Sequence, residues 1–283
     1  MVHTIFLFKP MLKECVIASI PLNGSMFLIK NRDRNYIPEI ILVHKLFGDV
    51  EVFYYKDTNT GWIEGMNSYG IAIVNSSLTV GYDEKEFEMA KGNKSKGDGE
   101  KILLALQKKT LKEACQVLWN RDYKLYGHTF INFGSKSYAV ECTPNSKVNI
   151  NRITDIRVET NHGKITYKTG YIEGKSKIST HSRQIIAQHE LEKVDKAEDL
   201  LSAIRKNYIN WDSQYQPYRI TSQKVKGLND AMWTTMQVLF DSEDLFCQIN
   251  YEEKGCLIKK KYISLPTDYK QKINYKIQKT KTQ

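Results

Sequence analysis

A chain of 283 residues, 41% hydrophobic and 26% charged, is long enough for one large domain or two small ones with a sizeable core. Its net charge of +10 suggests a nucleic-acid binder until it is located: residues 259–283 hold eight lysines against Asp268, and so seven of those ten charges. What remains is only mildly basic and lacks an arginine–aromatic stacking pattern, so no specific nucleic-acid partner is expected.

No run of about 18 apolar residues is present, so a transmembrane segment is not expected. Met1–Leu12 contains Thr4-Ile5-Phe6-Leu7-Phe8, too short for a signal-peptide core and without a basic lead-in. The cysteines at 15, 115, 142, 247 and 256 are odd in number and scattered, with no CxxC pair. That usage predicts a reducing, cytoplasmic setting, with neither a disulfide framework nor a zinc site. The Lys-rich stretch 259–283 reads as a solvated tail.

In chain order, Cys15–Ile20 reads as a buried strand, Pro21-Leu22-Asn23-Gly24 as a tight turn and Ser25–Lys30 as a second strand. This hairpin brings the end of the second strand, followed by a turn at Lys30-Asn31-Arg32-Asp33, back beside Cys15, so Asp33 is expected close to the thiol. Further short strands are predicted at Ile40–His44, Val50–Tyr55, Gly61–Glu64 and Ile71–Ser77, each rich in β-branched or aromatic residues. Lys91–Gly99 is a polar, glycine-rich loop. Helices follow at Glu100–Lys108 and Thr110–Asn120, the second opened by Thr110-Leu111-Lys112-Glu113, a capping box. Strands resume at Thr129–Phe133, Tyr138–Glu141, Val148–Ile150 and Arg157–Thr160. His181–Lys193 and Lys196–Lys206 read as helical, and Trp233–Phe240 and Leu245–Tyr251 as the last strands. Strands, helices, strands, helices, strands is the order of two packed sheets between helical layers, an α+β class.

The chemistry-bearing residues are Cys15, Asp33 and, much later, Asn161 in Thr160-Asn161-His162. A thiol, a carboxylate and an asparagine in that order suggest a nucleophile with polar groups to orient it. The plain alternative is a buried structural cysteine and a turn aspartate.

Cys15, Lys30-Asn31-Arg32-Asp33 and Gly65-Met66-Asn67-Ser68-Tyr69-Gly70-Ile71-Ala72-Ile73 resemble the N-terminal-nucleophile amide hydrolases. Within them the likeness is greatest to the acyl-coenzyme A:6-aminopenicillanic acid acyltransferase group, with bile-salt hydrolases and acid ceramidases more distant. His128–Thr143, Thr160-Asn161-His162, Ser182-Arg183 and Trp233–Asp241 fit in order, so the resemblance covers about residues 15–258. It implies a four-layer αββα sandwich over 15–258, followed by the basic tail 259–283. It also implies self-removal of a propeptide, Met1–Glu14, which makes Cys15 the N-terminus. The acyltransferase group usually has a small residue before the nucleophile, where this chain has Glu14.

An ordinary thiol has a pKa of about 8.5 and needs a base. Cutting Glu14–Cys15 creates an α-amine titrating near ~8 on the nucleophile's own residue, able to take the thiol proton and return it to a leaving amine. In this reading Asp33 holds the nucleophile and Asn161 is the family's second catalytic asparagine. Asn75, ending Ile71-Ala72-Ile73-Val74-Asn75, is assigned as an oxyanion donor, although related families place an asparagine at positions matching Ser76 or Ser77. Lys30 stands where bile-salt hydrolases carry an arginine, Arg183 matches an arginine near their nucleophile, and Trp62 is a candidate wall for an acyl pocket. No metal or organic cofactor is called for. The expected partner is a small-molecule amide or acyl substrate, and a homo-oligomer is compatible with the sequence. Two rivals share the same residues: acyl transfer from an acyl-coenzyme A-type thioester, and a non-catalytic sandwich that binds a ligand.

Overall fold

In the computed structural model, β1 (Lys13–Leu22) and β2 (Ser25–Arg34) form one long hairpin, paired from Lys13↔Arg34 to Leu22↔Ser25. Asn23 and Gly24 close it at φ of 52° and 87°, the left-handed pair that a two-residue type I′ turn requires. The structure describes residues 13–78, 97–143, 148–164, 175–205, 216–218, 233–253 and 256–264. The expected turn at Lys30–Asp33 is instead the second half of β2. Five consecutive polar residues, Lys30 to Arg34, remain in the strand and are buried.

The remaining strands are β3 (Ile40–Phe47), β4 (Val50–Asp57), β5 (Trp62–Asn67), β6 (Ile71–Ser76), β7 (Gly127–Phe133), β8 (Lys136–Cys142), β9 (Asn149–Ile153), β10 (Arg157–Glu159), β11 (Trp233–Asp241), β12 (Phe246–Glu253) and β13 (Cys256–Ser264). They make two antiparallel sheets. The first runs β10-β1-β2-β11-β12-β13, and the second runs β3 through β9 in sequence order. Each sheet buries alternate residues on its two faces. Ile17, Leu28, Val238 and Ile249 of the first sheet meet Phe53, Met66, Val74 and Phe130 of the second in the central core.

The outer faces carry helices. α1 (Asp98–Leu106) and α2 (Leu111–Leu118) cover Ile63, Ile71, Ile73 and Ile131 of the second sheet. α3 (Lys175–Leu191) and the single turn α4 (Leu200–Ala203) cover Val16, Ala18, Ile29 and Leu239 of the first. The four layers are αββα. The capping box at α2 forms as read: Thr110 accepts from the Glu113 N–H, and the Glu113 carboxylate accepts from the Thr110 N–H.

Three readings shift. The stretch expected to be helical over Lys196–Lys206 is a 3₁₀ turn, Ala197–Asp199, followed by α4. α3 begins six residues before His181. Residues 259–264, placed in the tail, lie in β13 and pair with β12 from Tyr251↔Lys259 to Phe246↔Ser264, so the sandwich runs past 258. Residues 265–283, Met1–Leu12 and 91–96 lie outside the described residues.

Candidate active site

Pairing parity sets out the site. Cys15 faces Arg32 across the hairpin, and Glu14 faces Asp33. With Ile17 in the central core, Cys15 points between the sheets, while Glu14 and Asp33 point toward α3. β10 pairs with β1 through Ile17↔Glu159, so the next two residues, Thr160 and Asn161, carry the chain to Cys15.

Asn161 joins four groups there. Its Oδ1 accepts the Cys15 N–H at 3.1 Å and Arg183 Nη2 at 3.1 Å. Its Nδ2 donates to Ser77 O at 2.7 Å and Ser76 Oγ at 3.1 Å. Arg183, fully buried on α3, donates through Nη1 to the Cys15 carbonyl at 3.2 Å and to Asp33 Oδ2 at 3.4 Å. Its Nη2 meets Glu14 Oε2 at 2.8 Å. Thr234 on β11 donates to Asp33 Oδ1 at 2.8 Å. The structure therefore brings Cys15, Asp33, Asn161, Arg183 and Glu14 together, with Asp33 linked to the Cys15 main chain through Arg183.

The sequence reading passed over Arg34. Its Nη1 donates to the Glu14 carbonyl oxygen at 3.3 Å and to the Asp33 carbonyl at 2.5 Å, and lies 3.9 Å from Cys15 Sγ. A guanidinium thus sits against both the sulfur and the oxygen of the bond that precedes it. The one available signal was position, since Arg34 follows Asp33 directly and shares the parity of Arg32 and Lys30.

Lys30 is buried one pairing step deeper, where Nζ donates to Glu64 Oε1 and to the Asn75 carbonyl, while Tyr55 OH donates to Glu64 Oε2. Arg32 pairs with Asp57 at 2.7 Å, both fully buried. These partners from β4 and β5 explain why so polar a strand end can lie inside. A buried ion in a protein must be paired and hydrogen-bonded to stay charged.

Asn75 and Trp62 do not join the cluster. Val74 faces the central core and Ile73 the helices, so alternation turns Asn75 toward the helix side. Its Nδ2 donates to Thr129 Oγ1 at 2.8 Å and the Tyr126 carbonyl at 3.2 Å, and its N–H is taken by Glu64 Oε1 at 2.8 Å. Ser76 and Ser77 are the residues of this segment that reach Asn161. Gly127, at φ 109°, packs closely on the same segment, because a Cβ there would lie 2.4 Å from the Ser76 carbonyl. Trp62 packs against the outer cluster below α1 and α2.

Around this centre the titratable groups differ sharply. Burial pushes the Cys115 thiol up to about 11, and the Cys247 thiol well above its usual range, so neither supplies thiolate at neutral pH. Burial, together with the charges of His181 and His128, lowers His162 to about 3, so its ring is neutral. It stacks on His181 with centroids 3.9 Å apart, and its carbonyl meets His128 Nε2 at 2.7 Å. Among the described residues no group of three or more His, Cys, Asp or Glu is placed to hold a metal ion, and no helix is long and apolar enough to cross a membrane.

No protein-family model matches the sequence, and no curated protein matches it. Solved structures do resemble it. A variant of the conjugated bile acid hydrolase from Clostridium perfringens aligns at a TM-score of 0.56 and 12% identity, covering 90% of this chain and 93% of that one. A Caenorhabditis elegans ortholog of N-acylethanolamine-hydrolyzing acid amidase aligns at a TM-score of 0.53 and 10% identity, covering 81% and 93%. At such identities the likeness is one of fold. The chain has the fold of the N-terminal-nucleophile hydrolases.

Proposed function

We propose that this chain is a cysteine amidohydrolase that cleaves linear amide C–N bonds after exposing Cys15 by cutting its own Glu14–Cys15 bond. The observation that carries this reading is the grip on that bond. Its carbonyl oxygen accepts from Arg34, its N–H donates to Asn161, and the thiol of Cys15 lies against the same Arg34 guanidinium. A nucleophile, an oxygen under a positive charge and a held amide are the parts an acyl transfer needs.

In self-cleavage the Cys15 sulfur attacks the Glu14 carbonyl carbon, with charge developing on an oxygen that Arg34 faces. The C–N bond breaks, the thiol proton passes to the freed α-amine, and the Glu14 thioester is hydrolysed by water. Residues 1–14 leave as a propeptide, and 15 onward is the mature domain. In turnover the α-amine takes the thiol proton and later gives it to the leaving amine. Asn161 then holds the α-amine, while Arg183 ties Cys15 to Asp33 and fixes its main chain. Proximity to the resemblance set out above and to amide-hydrolysing structures supports the amide as the bond cut.

An amine in place of water at the thioester would make the same site an acyltransferase, and product analysis with and without a primary amine separates the two. The test of self-cleavage is intact mass. Wild type should lack Met1–Glu14, Cys15→Ala should retain it, and Cys15→Ser should be cut slowly and turn over poorly. A wild-type chain that stays whole while hydrolysing amides at full rate would overturn the mechanism.

A further inference from the structure

Glu14 occupies the site as an acyl group would. Its carbonyl oxygen sits 3.3 Å from Arg34 Nη1, and its side-chain carboxylate, 20% exposed, meets Arg183 Nη2 at 2.8 Å. We propose that the mature site selects amides whose acyl half is acidic, a glutamyl-type group whose carboxylate takes the place that Glu14 leaves on Arg183. This inference rests on the self-cleaving amidohydrolase reading and adds the substrate class.

Processing and turnover cut the same kind of bond with the same sulfur, so the atoms on the carbonyl side occupy the same side of Cys15 in both. In the uncut chain that side is a glutamyl residue. Charge points the same way. Lys30 is matched by Glu64 and Arg32 by Asp57, while the Glu14 and Asp33 carboxylates meet Arg183 and their main-chain carbonyls meet Arg34. Loss of residues 1–14 removes the Glu14 carboxylate from Arg183.

Donor capacity is also in excess. Arg32 Nε and Nη1 and Arg34 Nε are buried with no hydrogen-bond partner. A buried guanidinium that loses one of its two carboxylates is less well compensated, so a substrate that returns one is favoured over an apolar chain that cannot. Arg183 is fixed for this, since Nη1 is tied to Asp33 and to the Cys15 carbonyl while Nη2 reaches Glu14. The chemistry balances. The Sγ–C bond forms as the C–N bond breaks, the thiol proton leaves with the amine, and water releases a product bearing two carboxylates.

The test uses the full-length protein and three 4-nitroanilides, N-acetyl-glutamyl, N-acetyl-glutaminyl and hexanoyl. The glutamyl anilide should be preferred over the glutaminyl one in kcat/KM by roughly ten- to hundredfold, the worth of a charged hydrogen bond. Glu14→Gln should slow self-cleavage by a similar factor. Equal rates on the glutamyl and glutaminyl anilides, or a preference for hexanoyl, would overturn the acidic selectivity and leave the amidohydrolase reading standing. A chain that stays uncut and cleaves none of the three would overturn both.

Discussion

Asn161 Oδ1 accepts the Cys15 N–H at 3.1 Å, joining residues 146 positions apart. The asparagine therefore grips the main chain of Cys15 rather than its thiol. The same oxygen takes Arg183 Nη2, so a shift of either partner is felt by the other. The consequences for catalysis and stability can be measured separately.

Arg34 should govern the rate of self-cleavage. Arg34→Gln removes the charge from the Glu14 carbonyl oxygen, and loss of one such donor typically costs about a hundred- to thousandfold. Arg34→Lys keeps the charge without the fork and should fall between. The time course of intact mass after synthesis reads both, and a Gln variant cut as fast as wild type would remove Arg34 from the mechanism.

Asp33 should matter to stability as much as to turnover. It is fully buried and holds Thr234 Oγ1 and Arg183, so Asp33→Ala takes one of its two carboxylate partners from the buried Arg183 guanidinium. Removing one partner of a buried pair costs about 3–5 kcal/mol. Urea denaturation of the two proteins should show that loss with little change in m-value.

His162 makes stability fall with acid. Its folded value, near 3, lies below the ordinary 6.5 because burial opposes the charged ring. The unfolded chain therefore binds a proton that the folded one refuses. Stability is complete above about pH 6.5 and declines as the pH falls toward 3, at about 1.4 kcal/mol per unit. His162→Gln should flatten that slope by about one proton between pH 6 and 4, and an unchanged slope would show that His162 is not the group responsible.

The basic end should divide at Ser264. Deleting 265–283 should leave the unfolding midpoint nearly unmoved, because this stretch is lysine-rich and poor in apolar runs. Deleting 259–283 takes most of β13 with it and should cost more than about 1 kcal/mol, since several strand pairings go together. Equal stability of the two truncations would mean that these pairings contribute nothing.

The sequence was most readable where short-range chemistry decides. Asn23-Gly24 closes its hairpin and Thr110 with Glu113 caps its helix, because both signals act within a few residues. Asp33 and Asn161 could be placed near Cys15 from strand order and resemblance. Arg34 could not, since a strand ending in Lys-Asn-Arg-Asp-Arg reads as a turn unless its buried partners are known. Those partners, Asp57, Glu64 and Arg183, come from distant elements. The shift from Asn75 to Ser76 and Ser77 has a simpler cause, because one residue along a strand exchanges its faces. β13 was hidden by its central lysines, 259–261, which resemble the solvated stretch that follows.

The hairpin register has one more consequence. Among the described residues, a break before Cys15 would detach the end of β1 and undo two pairings, Lys13↔Arg34 and Glu14↔Asp33. On the other flank β11 keeps hold of the same residues through Trp233↔Arg34 and Thr234↔Asp33. The cut would thus open a gap in the sheet beside Cys15 while β2 stays hinged to β11, so substrate would take the place of the departed strand end.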